Sequence, residues 1–113
     1  MPNIDLIKVQ NNLQRRQYAT FPWKIYKDDP LWVPPLLPER LKQLNPEKGT
    51  FFSHGEADFF MAYKEGKLAG TIMAAVDHSS NKMRSLNDGM FGFFECIDDQ
   101  QVANCLFDAA VRW

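Results

Sequence analysis

The chain has 113 residues, with 13 Lys and Arg against 14 Asp and Glu; 45% of its residues are hydrophobic and 13% aromatic. This is the composition of a soluble globular protein with material for one core, and 113 residues set one domain as the ceiling. A formal net charge of −1 with interspersed signs gives no basic face for phosphate backbones, so nucleic acid is not an expected partner.

Cys96 and Cys105 are nine residues apart and form no CxxC pair. A disulfide framework or thiolate metal site is not expected, which fits the reducing cytoplasm. No window reaches the ~18 apolar residues of a membrane span. The first ten residues lack the basic and apolar regions of a signal peptide, so nothing in the chain addresses it to a membrane.

Ile4-Asp5-Leu6-Ile7-Lys8-Val9 is short, β-branched and partly alternating, which predicts a first strand over 3–9. Asn11 or Asn12 then caps a polar helix. After Pro22, Trp23-Lys24-Ile25-Tyr26 adds one or two helical turns, giving helix over about 11–27. Trp32-Val33-Pro34-Pro35 is extended, because a residue before proline is pushed out of the helical region. A second helix is predicted over 35–44, where Leu37, Leu41 and Leu44 share a face.

Six of the seven prolines lie between residues 22 and 46, and the second half reads as strands. Residues 58–63 and 68–77 are apolar, β-prone runs joined by Lys64-Glu65-Gly66-Lys67, a hairpin in which Gly66 supplies positive φ. Residues 90–96 make a further strand whose interior Gly92 marks a bulge or a close backbone approach. Asp98 or Asp99 caps a last helix over 99–113, with Val102, Leu106, Ala110 and Trp113 on one face. The expected class is α+β: about four mostly antiparallel strands and three flanking helices.

The stretch Phe60-Met61-Ala62-Tyr63-Lys64-Glu65-Gly66-Lys67-Leu68-Ala69-Gly70-Thr71-Ile72 resembles the second and third strands of the GNAT (Gcn5-related N-acetyltransferase) family. Residues 22–37, from Pro22-Trp23-Lys24-Ile25-Tyr26 to Pro34-Pro35-Leu36-Leu37, taken together with Phe91-Gly92-Phe93-Phe94-Glu95-Cys96, are similar to a little-characterised group of bacterial GNAT-like proteins. The resemblance implies the N-terminal half of that fold. It also implies acyl transfer from acetyl-CoA or another acyl-CoA to an amine.

In the family a glycine-rich loop after the fourth strand presents backbone amides to the cofactor pyrophosphate. The matching positions begin with Cys96, Ile97 and Asp98, whose backbone would bind the cofactor. The following Asp99-Gln100-Gln101-Val102-Ala103-Asn104 holds neither glycine nor cation. Two carboxylates facing a diphosphate oppose its binding. The last strands of the fold have no residues to encode them, so the chain is expected to be an inactive N-terminal segment. Its fourth-strand edge is then completed by the rest of a longer chain or by another copy. The alternative is a non-catalytic binding or dimerisation module that uses the same edge for strand addition.

The resemblance places Glu95 where the family carries a proton-accepting carboxylate. Desolvation by Phe91, Phe93 and Phe94 would raise its pKa; a solvent-facing Glu95 is the plainer reading. Trp23, Tyr26 and Trp32 form either an aromatic wall over the acceptor pocket or simply core. His78, in the polar loop Asp77-His78-Ser79-Ser80-Asn81, binds substrate or is solvated. His54 beside Phe51 and Phe52 reads as packing, and two histidines without a third ligand make no metal site. Both cysteines read as inert.

Overall fold

A computed structural model describes residues 3–84 and 89–113. It is α+β: a four-stranded antiparallel sheet in the order β1-β2-β3-β4, with helices on both faces.

Strand β1 (Ile4–Lys8) lies at one edge, pairing Ile4 with Lys64 and Lys8 with Phe60 of β2 (Gly55–Lys64). Helix α1 (Asn12–Tyr26) starts where the Asn11 side chain accepts the Gln14 amide at 2.8 Å, while Gln14 Oε1 accepts the Gln10 amide at 2.7 Å. The first bond satisfies a donor that the helix start leaves open, and the second ties the residue before the cap to the first turn. The helix runs unbroken through Pro22, which removes the bond to the Tyr18 carbonyl. Phe21 and Pro22 are both buried, and their packing offsets that loss.

Helix α2 (Leu37–Leu44) has Pro38 in its first turn and begins at the first leucine of the stripe, two residues later than the expected start at 35, because Leu36 is extended. A single 3-10 turn over Thr50–Ser53 leads into β2.

Strand β3 (Lys67–Asp77) is joined to β2 through Glu65 and Gly66, with φ of 52° and 79°. Two successive positive φ values match the right-handed twist of the flanking strands, and glycine takes such a value without a Cβ penalty. Helix α3 (His78–Arg84) follows directly. This corrects two expectations: residues 78–81 are helix rather than loop, and among the described residues the sheet carries four α-helices rather than three. The cause is local, since Asp77 Oδ1 accepts the Ser80 amide at 3.0 Å and starts the helix.

Strand β4 (Met90–Cys96) forms the other edge, and α4 (Gln100–Arg112) follows from an N-cap at Asp99. The core has two layers. Tyr18, Ala19, Leu44, Phe59 and Met61 fill the face under α1 and α2. Ala62, Ala69, Ile72, Val102 and Leu106 fill the face under α4. At Gly70 a Cβ would sit 2.6 Å from Leu106 Cδ1, so glycine is what lets α4 approach β3 so closely. No helix among the described residues is long and apolar enough to cross a membrane.

Candidate functional site

The site is aimed by a defect in β4. Thr71 pairs with Glu95 and Met73 with Gly92, so Phe93 and Phe94 both stand against Ile72. Phe93 takes a φ of 47°, and Thr71 Oγ1 donates to its carbonyl at 3.0 Å. This is a β-bulge, an extra residue that re-aims the side chains beyond it.

Without it, Phe91, Phe93 and Glu95 would share one face. With it, Phe91 and Phe94 pack on Phe107 of α4, with ring centroids 5.3 and 4.6 Å away. Phe93 and Glu95 turn instead toward α1 and α2. The expected desolvation of Glu95 by three phenylalanines is therefore corrected, because only Phe93 stays on its side.

On that side Glu95 meets the end of α1. Tyr26 Oη donates to Glu95 Oε2 at 2.5 Å. Trp32, whose amide donates to the Asp29 carbonyl at 3.2 Å across the Pro30-Leu31 turn, stacks on Tyr26 with centroids 5.6 Å apart and meets Trp23 edge-on at 5.4 Å. Trp23 and Tyr26 are three residues apart on one helix, so one face of α1 carries both. The fold thus brings together Glu95, Tyr26, Trp32 and Trp23.

It also brings in, beside Phe93, two residues to which the sequence reading gave no role at the site, Arg40 and Tyr18. The Arg40 guanidinium lies 4.5 Å from the centre of the Phe93 ring. Tyr18 is buried, and its hydroxyl has no hydrogen-bond partner among the described residues. Phe93 closes the floor. Arg40 carries a recognisable signal, since it interrupts the apolar stripe of Leu37, Leu41 and Leu44 at a core-facing spacing.

The electrostatics follow from this geometry. The hydrogen bond to Glu95 is the main cause that raises the Tyr26 phenol above its ordinary pKa, followed by burial and by the charges of Glu95 and Asp29. Tyr18 is raised further, chiefly by burial, with Arg40 opposing and Glu95 reinforcing. Both phenols are therefore held as O–H donors.

The other expected residues lie elsewhere. His78 sits at the far end of β3, seven residues beyond the one that pairs with Glu95 and so about 20 Å along the strand. Its ring lies 3.5 Å from exposed Glu56. The Ile97 amide donates to the Ala69 carbonyl at 2.9 Å and cannot serve a phosphate.

Asp99 Oδ1 accepts the Gln101 and Val102 amides at 3.0 and 3.3 Å, while its other oxygen takes the Lys64 ammonium. The Lys64 bond, first of all, holds the Asp99 carboxyl below the usual carboxylate range; burial opposes it, and the Val102 and Gln101 amides and the Lys64 charge add to the lowering. The amides that open α4 are thus filled by the protein's own carboxylate, beside Asp98. These residues do not fit a diphosphate.

Burial first, then Asp99 and Asp98, pushes the Cys96 thiol up; burial and Asp108 do the same for Cys105. Neither environment favours a thiolate nucleophile. No cluster of three His, Cys, Asp or Glu side chains suited to a metal ion occurs among the described residues. A cleft of about 1020 Å³ lies at the other end of β4, walled by Phe91, Phe107, Val111 and Trp113, with Trp113 Nε1 donating to Asp58 at 2.8 Å. Glu95 does not line it.

No family model and no solved structure matches the chain. Two curated proteins do. A bacterial ceramide synthase from Caulobacter vibrioides is 32% identical over 112 residues, which is 98% of this chain and 29% of that protein. Protein YghO from Escherichia coli is 36% identical over 104 residues, 91% of this chain and 26% of the relative. The chain is similar to both along nearly its whole length, and it spans less than a third of either.

Proposed function

We propose that this chain is the amine-binding portion of a GNAT-like N-acyltransferase, in which Glu95 accepts the proton released when an amine is acylated. The observation that carries this reading is the 2.5 Å hydrogen bond from Tyr26 to Glu95, set beneath Trp32 and Trp23 on a bulged edge strand. A carboxylate fixed by one donor and left with a second oxygen is suited to general-base work. Aromatic faces beside it attract an ammonium group before deprotonation.

The ammonium loses its first proton to solvent. As the amine nitrogen then forms its bond to the acyl carbon, the thioester C–S bond breaks and a second nitrogen proton passes to the Glu95 carboxylate. CoA leaves as a thiolate that takes up a proton in turn. Tyr26 fixes which carboxylate oxygen is free to receive the nitrogen proton. The acyl donor, acetyl-CoA or a longer acyl-CoA, is held by parts of the protein beyond this chain, since the start of α4 does not fit its diphosphate. On this reading the isolated chain is inactive, and the whole protein works in the cytoplasm. The name of the Caulobacter relative supports an amine acceptor, because ceramide is a carboxamide of a long-chain amino alcohol.

The test is a chimera in which this chain replaces its matching segment in the Caulobacter relative. Its product is followed by mass spectrometry with acyl-CoA and a long-chain amino alcohol. Formation of amide supports the reading. A chimera that melts cooperatively yet forms none overturns it.

A second reading, a strand-addition module, is favoured by one observation. β4 is an edge strand, and Met90 and Phe91 on it are 46% and 57% exposed. Sedimentation distinguishes this reading, which requires self-association or a strand donor.

A further inference from the structure

We infer that the groove between α1 and α2 is a docking surface for an anionic phospholipid bilayer. The groove holds about 520 Å³, and Arg15, Arg16, Lys42 and Lys48 line it together with Asn12 and Asn45. No carboxylate is among its described lining residues.

Arg15 donates to Asn12 Oδ1 at 2.6 Å, which leaves the rest of its guanidinium fork available. Arg16, Lys42 and Lys48 form no ion pair among the described residues. Four cations therefore line one groove, none of them ion-paired among the described residues. The charge is also segregated along the sequence. Residues 12–48 carry seven Lys and Arg against four Asp and Glu, while the remaining residues carry six against ten. A near-neutral net charge conceals a basic region and an acidic one.

Charge alone would equally suit free phosphate. The apolar surroundings favour a bilayer. Leu13, in the first turn of α1, is 69% exposed, and Leu36, two residues before Pro38 of the groove wall, is 73% exposed. Leu31 and Val33, on the segment that joins the two walls, are 88% and 83% exposed. Leu13 and Leu36, adjacent in sequence to lining residues or nearly so, put large aliphatic side chains in water at the rim of a basic groove. This is the pattern of a surface that sits at the headgroup boundary, with cations on phosphates and aliphatics among the acyl chains. Absence of a spanning helix leaves such peripheral binding untouched.

The experiment is co-sedimentation of the 113-residue chain with vesicles of phosphatidylcholine alone or with one quarter phosphatidylglycerol. We expect binding only to the anionic vesicles and its loss in 0.5 M NaCl. Each basic side chain removed should weaken partitioning about fivefold, so R16Q/K42Q should lower it by about 25-fold at an unchanged Tm. K48Q lies outside the helices and should lower it about fivefold, which keeps the test decisive if the double variant unfolds. L31S/V33S should weaken binding without changing its salt dependence.

Equal binding to neutral vesicles overturns the inference, as does no binding to either. Full binding by R16Q/K42Q or K48Q overturns it too. Binding of inorganic phosphate or of an oligonucleotide without vesicle binding reassigns the groove to a soluble anion and overturns the lipid source. None of these outcomes depends on acyl transfer, so this inference and the proposed function fail separately.

Discussion

Replacing Tyr26 with Phe removes one hydroxyl while leaving the stack on Trp32 in place, so it isolates the hydrogen bond to Glu95. A hydrogen bond to an ionised group contributes roughly 1.5–3 kcal/mol. Both side chains here are only half-buried, so water recovers part of that, and we expect a coupling of about 1–1.5 kcal/mol. The appropriate assay is a double-mutant cycle of Y26F, E95A and Y26F/E95A by urea denaturation, since truncating Glu95 also removes packing that the cycle cancels. Unfolding entropy of about 2.1 cal/mol/K per residue over 113 residues makes each kcal/mol worth about 4 °C in Tm. Y26F should therefore melt about 4–6 °C lower, and should lower Tm by under 1 °C once Glu95 is already Ala. Additive single-mutant effects, with a coupling below about 0.3 kcal/mol, would refute the claim that these two side chains form a unit.

Leu106 is fully buried between α4 and β3, so L106A should cost about 2–5 kcal/mol by urea denaturation. In contrast, G70A, which places a Cβ 2.6 Å from Leu106 Cδ1 and 3.1 Å from the Glu95 carbonyl, should cost about 1–3 kcal/mol through overpacking. The folded Asp99 carboxyl is held below its ordinary value of 3.8. Its contribution is complete above that value and is lost as pH falls through the lower folded one. Urea midpoints measured from pH 7 to pH 2 should show this acid loss, and D99N should flatten it. The Tyr26 phenol titrates above 10.0 because of Glu95, so ultraviolet absorbance of tyrosinate should show one phenol ionising at lower pH in E95Q than in the parent.

Much of the fold was legible because it rests on local chemistry. The Glu65-Gly66 turn, the Asp99 cap and the 3,4 spacing of Val102, Leu106 and Ala109 or Ala110 each act within a few residues. Helix α3 had its signal in Asp77 and Ser80, and the polar run after them read more readily as loop. The site was harder. Gly92 pointed to an irregularity in β4, yet which way Glu95 faces depends on where the extra residue falls, and that is fixed by pairing with Thr71 and Met73 more than twenty residues earlier. Trp23, Tyr26 and Trp32 could be grouped from their crowding, whereas their meeting with Glu95 bridges 69 positions from Tyr26. Tyr18 and Arg40 join the same site only through tertiary packing.

The most direct test of the proposed role for Glu95 is the turnover of E95Q in the chimera with the Caulobacter relative. Gln keeps the size and can still accept the Tyr26 hydroxyl, but it cannot take a proton from an amine. We expect kcat to fall between about a hundredfold and ten-thousandfold, with KM for the amine little changed. A kcat within threefold of the parent would contradict the assignment of Glu95 as the base.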